Sequence, residues 1–218
     1  MPQYQSVGAR FVRRLSSGST FLENNVKHRF VALIGACTLF ATAPALLADW
    51  SVRGDPVDHA NLKVPKIAPG STIYVKEFST ADANLGKSRH KDTAERLVSV
   101  IPHLLAIDLV EELRSDGFDA LLDSGEPIPE GSLVLAGRFT DLDPGSQSAR
   151  VWIGFGAGKS RVCIEGEVTD AQSSLGEFSH CRAGIGWGES DQQVATSADR
   201  MAEQVAELLA KWSSGNLQ

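Results

Sequence analysis

The chain has 218 residues, of which 42% are hydrophobic and 22% charged, and its formal net charge at pH 7 is −6. This composition is typical of one globular core and excludes a low-complexity chain. The acidic balance argues against a nucleic-acid partner, because nucleic-acid binders usually present a basic face.

Residues 1–48 have the pattern of an export signal. Basic side chains precede an uncharged apolar run over 30–48, which contains Ala43-Pro44-Ala45 and ends in Ala48. A basic region, an apolar core and small residues are the three parts of a secretory signal peptide. The run is also long enough for a retained membrane anchor, and Cys37 permits a lipoprotein interpretation. The pattern therefore predicts a periplasmic or envelope protein, with membrane contact only through this segment if it is not cleaved.

Residues 49–71 carry three prolines and no clear hydrophobic period, so this segment is predicted to be an extended leader. A single domain is expected over 72–214. Within it, alternating apolar residues predict strands near 72–78, 118–123 and 132–142, and two more strands around a turn at 172–176.

Two long helices are predicted, over 92–115 and 191–212. The first has a broad apolar stripe, and the second has apolar residues at every third or fourth position. Because each helix has one apolar face, the order of elements predicts an α+β two-layer domain. We expect a mixed sheet of about five strands with both helices packed on one face.

The stretch IGFGAGKS, residues 153–160, resembles a phosphate-binding loop. The first glycine of that motif should fall where the sequence has Ile153. A phosphate loop must also lead into a helix, whose N-terminal dipole favours the anion. Ser160 is instead followed by the alternating pattern of a strand. Nucleotide or anion binding through Lys159 and Ser160 is therefore the less favoured alternative.

Pairing the last two strands as a hairpin places residues opposite each other when their numbers sum to about 344. Cys163 then faces Cys181. Direct cross-strand neighbours are close enough for a disulfide, and an oxidising compartment favours one. The sequence therefore predicts a Cys163–Cys181 disulfide.

The same register brings 154–158 alongside 184–188, where glycine alternates with apolar residues. One interpretation is a bulged, coiled hairpin end whose aromatic side chains fill the core. The other is an interaction patch made of Phe155, Gly156, Gly158, Gly186 and Trp187.

Catalysis needs a base, a nucleophile or a metal within reach of one another, and no such signature is recognisable here. Asp141 and Asp143 are more typical of a turn than of a calcium site. A zinc site of His180 with the two cysteines lacks a fourth ligand. The remaining histidines after the signal segment 1–48, which are predicted to be solvated or structural, are His59, His90 and His103. We expect no catalytic residue, no metal site and no cofactor.

The stretch from Gly137 to Ala171 carries a recognisable motif. Its characteristic positions are Gly137, Phe139, Gly145, Ser146, Arg150, Gly154, Gly156, Gly158, Asp170 and Ala171. On these residues the chain resembles an uncharacterised bacterial envelope family, the domain of unknown function numbered forty-four ten. The resemblance implies an exported protein without known catalytic activity. The order of elements is also similar to small envelope modules such as the amino-terminal domain of TolB.

These observations predict a non-catalytic, exported envelope protein that acts as a protein-interaction or assembly module. Its expected partner is another envelope protein or a second copy of this chain. A carrier that holds a small ligand between helices and sheet is the alternative.

Overall fold

The computed structural model describes residues 50–86, 91–145, 159–171, 173–184 and 190–217. The elements in this part of the chain lie within one compact unit, Ala45–Gln218. In chain order they are β1 (Trp50–Arg53), β2 (His59–Leu62), β3 (Thr72–Val75), α1 (Lys91–Ser115), β4 (Asp119–Leu122), β5 (Leu133–Asp143), β6 (Arg161–Thr169), β7 (Ser174–Ala183) and α2 (Ser190–Ser214).

The seven described strands form one mixed sheet in the order β1-β2-β7-β6-β5-β3-β4. β3 runs parallel to β4 and β5, and the other neighbouring strands are antiparallel. α1 packs against β3, β4 and β5, while α2 packs against β6 and β7. The two helices also contact each other, so they share one face of the sheet. The predicted α+β class is confirmed.

The expected count of about five strands is wrong, because β1 and β2 come from the segment predicted to be an extended leader. β1 pairs with β2, and β2 pairs with β7 from His59↔Ser179 to Leu62↔Gly176. Only Ala60 and Leu62 of β2 are buried. Four residues with two buried positions, flanked by prolines, give too short an alternation to be recognised as a strand.

Both helices follow their predicted bounds to within two residues. α1 buries Leu97, Ile101, Leu105, Leu109 and Leu113, which recur every fourth residue. Gly117, with a φ of 89°, then reverses the chain, and the Phe118 N–H donates to the Leu113 carbonyl at 3.0 Å. A left-handed glycine after the last turn is a common way to end a helix.

The core lies between the helices and the sheet. α2 contributes Trp212, which is 1% exposed and donates its Nε1–H to the Val64 carbonyl at 2.9 Å. Burying a large apolar side chain stabilises the fold by roughly 1.5–3 kcal/mol. This contact fixes the segment after β2 to α2. The N-terminal strands β1 and β2 are therefore part of the domain.

Within the described ranges, no helix is both long and apolar enough to cross a bilayer. The signal peptide or membrane anchor predicted over 1–48 lies outside the described residues.

Candidate functional site

The sheet face opposite the helices is polar. On β6, Ile164 and Val168 are buried in the core, and successive side chains of a strand point to opposite faces. Glu165 and Glu167 therefore project from the other face. The same alternation on β7 places Glu177 and Ser179 beside them, because the strand pairing sets Glu165 opposite Ser179 and Glu167 opposite Glu177.

Two rows of side chains cross five strands on this face and form the banks of a groove. The first row consists of Arg53, His59, Ser179, Glu165 and Arg138. The second row consists of Ser51, Asn61, Glu177, Glu167 and Ala136. The floor between them is formed by Ala60, Phe178, Gly166 and Gly137, and the cavity measures about 860 Å³. We call this feature the cross-strand groove.

Two floor positions are glycine because aromatic rings occupy the helix side of the sheet there. A Cβ at Gly166 would overlap the ring of Phe178, and a Cβ at Gly137 would overlap the ring of Phe78. Both rings are buried. The close approach of ring to backbone, which only glycine permits, is a recognised reason for glycine in a strand interior.

Some charged side chains on the banks have an ion-pair partner and others do not. Arg138 donates from Nε and Nη2 to Glu165 Oε2 at 3.0 and 2.7 Å, and the hydrogen bond and charge of Glu165 raise the pKa of Arg138. Lys63 Nζ lies 2.7 Å from Glu177 Oε1. Glu167 is half-buried and forms no ion pair in the part of the chain that the structure describes. Glu167 lies opposite Glu177 in the strand pairing, so Lys63 balances the charge of Glu177 while the carboxylate of Glu167 has no such partner among the described residues.

A partly buried polar network holds the β1–β2 end of the groove. His180, 6% exposed, places Nε2 2.9 Å from Gln204 Oε1, and Gln204 Nε2 donates to the Pro56 carbonyl at 3.0 Å. Asp58 Oδ2 accepts the Cys181 N–H at 2.7 Å and lies 3.4 Å from His180 Nδ1. These contacts connect the turn after β1 to both β7 and α2, and so position Arg53 and His59 on the bank.

The predicted disulfide is present. The Sγ atoms of Cys163 and Cys181 are 2.13 Å apart, and the Cα atoms 4.1 Å. The predicted register is confirmed from Arg161↔Ala183 to Val168↔Gly176, where paired numbers sum to 344. It then shifts by one residue, and Thr169 pairs with Ser174.

Lys159 and Ser160 do not form a phosphate-binding loop that leads into a helix. β6 begins immediately after them at Arg161, as the strand pattern predicts. Ser160 is fully buried, with Oγ 3.5 Å from Gln193 Oε1, while Lys159 is exposed. The two side chains therefore lie in different environments.

The other predicted positions have structural roles or lie outside the described residues. Asp141 accepts from Asn84 Nδ2 at 2.7 Å, and Asp143 accepts from the Gly145 N–H at 2.8 Å. His103 Nδ1 lies 2.7 Å from Glu77 Oε1 on the surface. Within the described ranges, no cluster of three or more His, Cys, Asp or Glu side chains is arranged for a metal. The interaction patch of Phe155, Gly156, Gly158, Gly186 and Trp187 lies outside them, as does His90.

The sequence profile of the family "Domain of unknown function (DUF4410)" matches residues 73–188. The chain belongs to this family. This is the family that the motif between Gly137 and Ala171 indicates. A comparison with curated proteins finds no match. The similarity to the amino-terminal domain of TolB stays a prediction.

Among solved structures, the fold is similar to a PelC dodecamer from Paraburkholderia phytofirmans, in space group C2. The identity is 14%, the TM-score is 0.44, and the match covers 68% of this chain and 92% of that chain. Protein XCC0632 from Xanthomonas campestris, of the DUF330 family, is similar at 14% identity and a TM-score of 0.39, over 67% of this chain and 87% of that chain. Similarity at this level is not evidence of a shared function.

Proposed function

We propose that this DUF4410 protein is a non-catalytic, exported envelope protein that acts as a protein-interaction module through its cross-strand groove. One observation carries the proposal. Both helices cover one face of the sheet, whereas the other face, within the described residues, presents a groove of about 860 Å³ lined by charged and polar side chains. A polar groove on a sheet is better fitted to bind a polar partner than to bury apolar side chains.

The disulfide supports the export part of the proposal. Structural disulfides persist in oxidising compartments and are rare in the cytosol. The Cys163–Cys181 bridge joins neighbouring strands on the same face of the sheet as the groove, two residues along β6 and β7 from Glu165 and Ser179 in its first bank. It therefore agrees with the signal pattern of residues 1–48 and with a periplasmic or envelope location.

The lining of the groove favours a protein segment over a small apolar ligand. Ligand pockets of comparable volume are mostly lined by apolar and aromatic side chains. Both banks here are mainly charged and polar, with arginines on β1 and β5 and glutamates between them. The expected partner is another envelope protein or a second copy of this chain.

Photo-crosslinking in cells that produce the full chain tests the proposal. A photoreactive residue replaces Ser179, in the middle of the groove, and a matched control replaces the exposed Ser124, which follows β4. We expect discrete adducts in the exported fraction from position 179 and none of these from position 124. If position 179 gives no adduct, or both positions give the same adducts, the groove is not the binding surface. Probes at Phe155 and Trp187 test the predicted patch in the same way.

A further inference from the structure

Building on this proposed function, we infer that the cross-strand groove binds an extended segment of a partner protein, with a lysine or arginine of that segment seated between Glu167 and Glu177. The inference rests on the shape of the groove, on the arrangement of its charges and on the carboxylate of Glu167, which forms no ion pair within the described residues.

The width of the groove selects an extended chain. The two banks are two residues apart along each strand, as in Glu165 and Glu167 on β6, so the Cα atoms of the two rows are about 7 Å apart. An α-helix with its side chains is roughly 10–12 Å across and is too wide to reach the floor. Five neighbouring strands span about 19 Å, so the groove accommodates about six extended residues that run across the strands.

The charges of the groove form a pattern along its length. Arg53 lies on β1, Glu177 and Glu167 lie on β7 and β6, and Arg138 lies on β5. Arg138 already binds Glu165, and Lys63 already binds Glu177. Arg53 and Glu167 are left without a counter-ion in the described part of the chain. A bound segment that complements the groove therefore places an acidic side chain near Arg53 and a basic one near Glu167.

The spacing of these two contacts follows from the strand order. β1 and β6 are three strand spacings apart, which is about 14 Å, or about four residues of an extended chain. Residues four apart in an extended chain point to the same side, so both side chains reach the groove at once. The partner segment is thus expected to carry an acidic and a basic residue four positions apart.

The glutamate pair distinguishes binding from folding. Since Glu167 forms no ion pair within the described residues, Glu167→Gln removes no stabilising charge contact and should leave the melting temperature unchanged. A cation between the two carboxylates is attracted by both, so the same change should weaken binding. Substitution of a residue with only a structural role would lower the melting temperature together with binding, and would not weaken binding alone.

Crosslinking from position 179 tests the inference with the full chain in cells. Glu167→Lys should reduce the adduct yield at least about tenfold, which corresponds to loss of one close charge pair, and Glu167→Gln should reduce it less. Glu130→Lys, on an exposed loop away from the groove, makes the same charge change and should leave the yield unchanged. Thermal melts of the three purified variants check that each is folded.

A phage-displayed library of random octapeptides, panned on the purified full chain, tests the partner chemistry. We expect enriched peptides to carry Lys or Arg four positions from Asp or Glu, and Glu167→Lys to remove the selection for the basic residue. Identical peptides on both proteins, or peptides without a basic residue, would overturn the inference. Adducts at position 179 that Glu167→Lys does not weaken would also overturn it while leaving the proposed function standing. If the probe at position 179 gives no adduct even when Glu167 is unchanged, the proposed function of the groove is itself wrong.

Discussion

At Gly166 the sheet has no room for a side chain, because the ring of Phe178 lies against the backbone on the helix side. Overpacking a well-filled core typically costs about 1–3 kcal/mol. We therefore expect Gly166→Ala to lower the free energy of unfolding by this amount, measured by urea denaturation.

A second substitution isolates the cause of that loss. Phe178→Leu shortens the side chain that an alanine at 166 would meet, so the double variant should be more stable than the sum of the two single changes predicts. If the two losses simply add, overlap with the ring is not the reason that glycine occupies this position.

At the scale of elements, the contact between α1 and α2 brings carboxylates together. Burial, and then the charges of Asp199 and Glu111, raise the pKa of Asp108. Burial, and then the charges of Glu203 and other carboxylates, raise the pKa of Glu112. A raised pKa in the folded state means that the folded protein holds these protons more tightly than the unfolded chain does.

The helix pair is therefore expected to be more stable at mildly acidic than at neutral pH. The contribution of these groups is fully present below their ordinary pKa values of 3.8 and 4.5, and it is lost as the pH rises through the raised values. Asp108→Asn should raise the melting temperature at pH 7 by about 2 °C, because screened surface charges are worth under about 1 kcal/mol. The gain should shrink as the pH falls towards 4.

Calorimetry of Asp108→Asn between pH 4 and 7 measures this effect. Glu130→Gln removes a carboxylate from an exposed loop and serves as the control, with no expected change. A gain for Asp108→Asn that stays constant with pH would show that the substitution acts through packing and not through charge.

At the scale of the whole molecule, the segment matched by the family profile is smaller than the folded unit. Residues 73–188 omit β1, β2 and α2, and α2 supplies much of the core. Its buried apolar residues are Val194, Ala198, Met201, Ala202, Val205, Ala206, Leu208, Leu209 and Trp212. We expect a fragment of 73–188 to lack cooperative thermal unfolding, whereas a chain of 50–217 should unfold in one transition. Near-ultraviolet circular dichroism measures the unfolding of both chains. A cooperative transition in the 73–188 fragment would contradict the expectation.

Much of the fold could be predicted from local patterns. Both helices have enough turns for their apolar period to be recognised, and the turn predicted at 172–176 gave the register of β6 and β7, which in turn predicted the disulfide. β1 and β2 could not be predicted, because four-residue strands are stabilised by pairing with β7 and by the contact of Trp212 with Val64. The shifts in register after Phe139 and Val168 likewise depend on neighbouring strands.

The candidate site was predictable only in part. The alternation in β6 shows that Glu165 and Glu167 share a polar face, and this signal is present in the sequence. The groove itself requires Arg53 and His59 from β1 and β2, whose pairing no local pattern indicates. A site assembled from rows that cross five strands is defined by strand order, which becomes known only with the tertiary structure.

The position of β1 bears on the order in which the signal segment is removed and the sheet is completed. β1 begins at Trp50, and only Asp49 separates it from Ala48, where the predicted apolar run ends. An endopeptidase binds its substrate as an extended chain on both sides of the bond that it cleaves. If the export signal is removed after Ala48, we expect the first residues of β1 to be held by the enzyme at that moment and therefore not to pair with β2. We then expect processing and completion of the sheet edge to compete in time, so that pairing of β1 with β2 before cleavage slows removal of the signal.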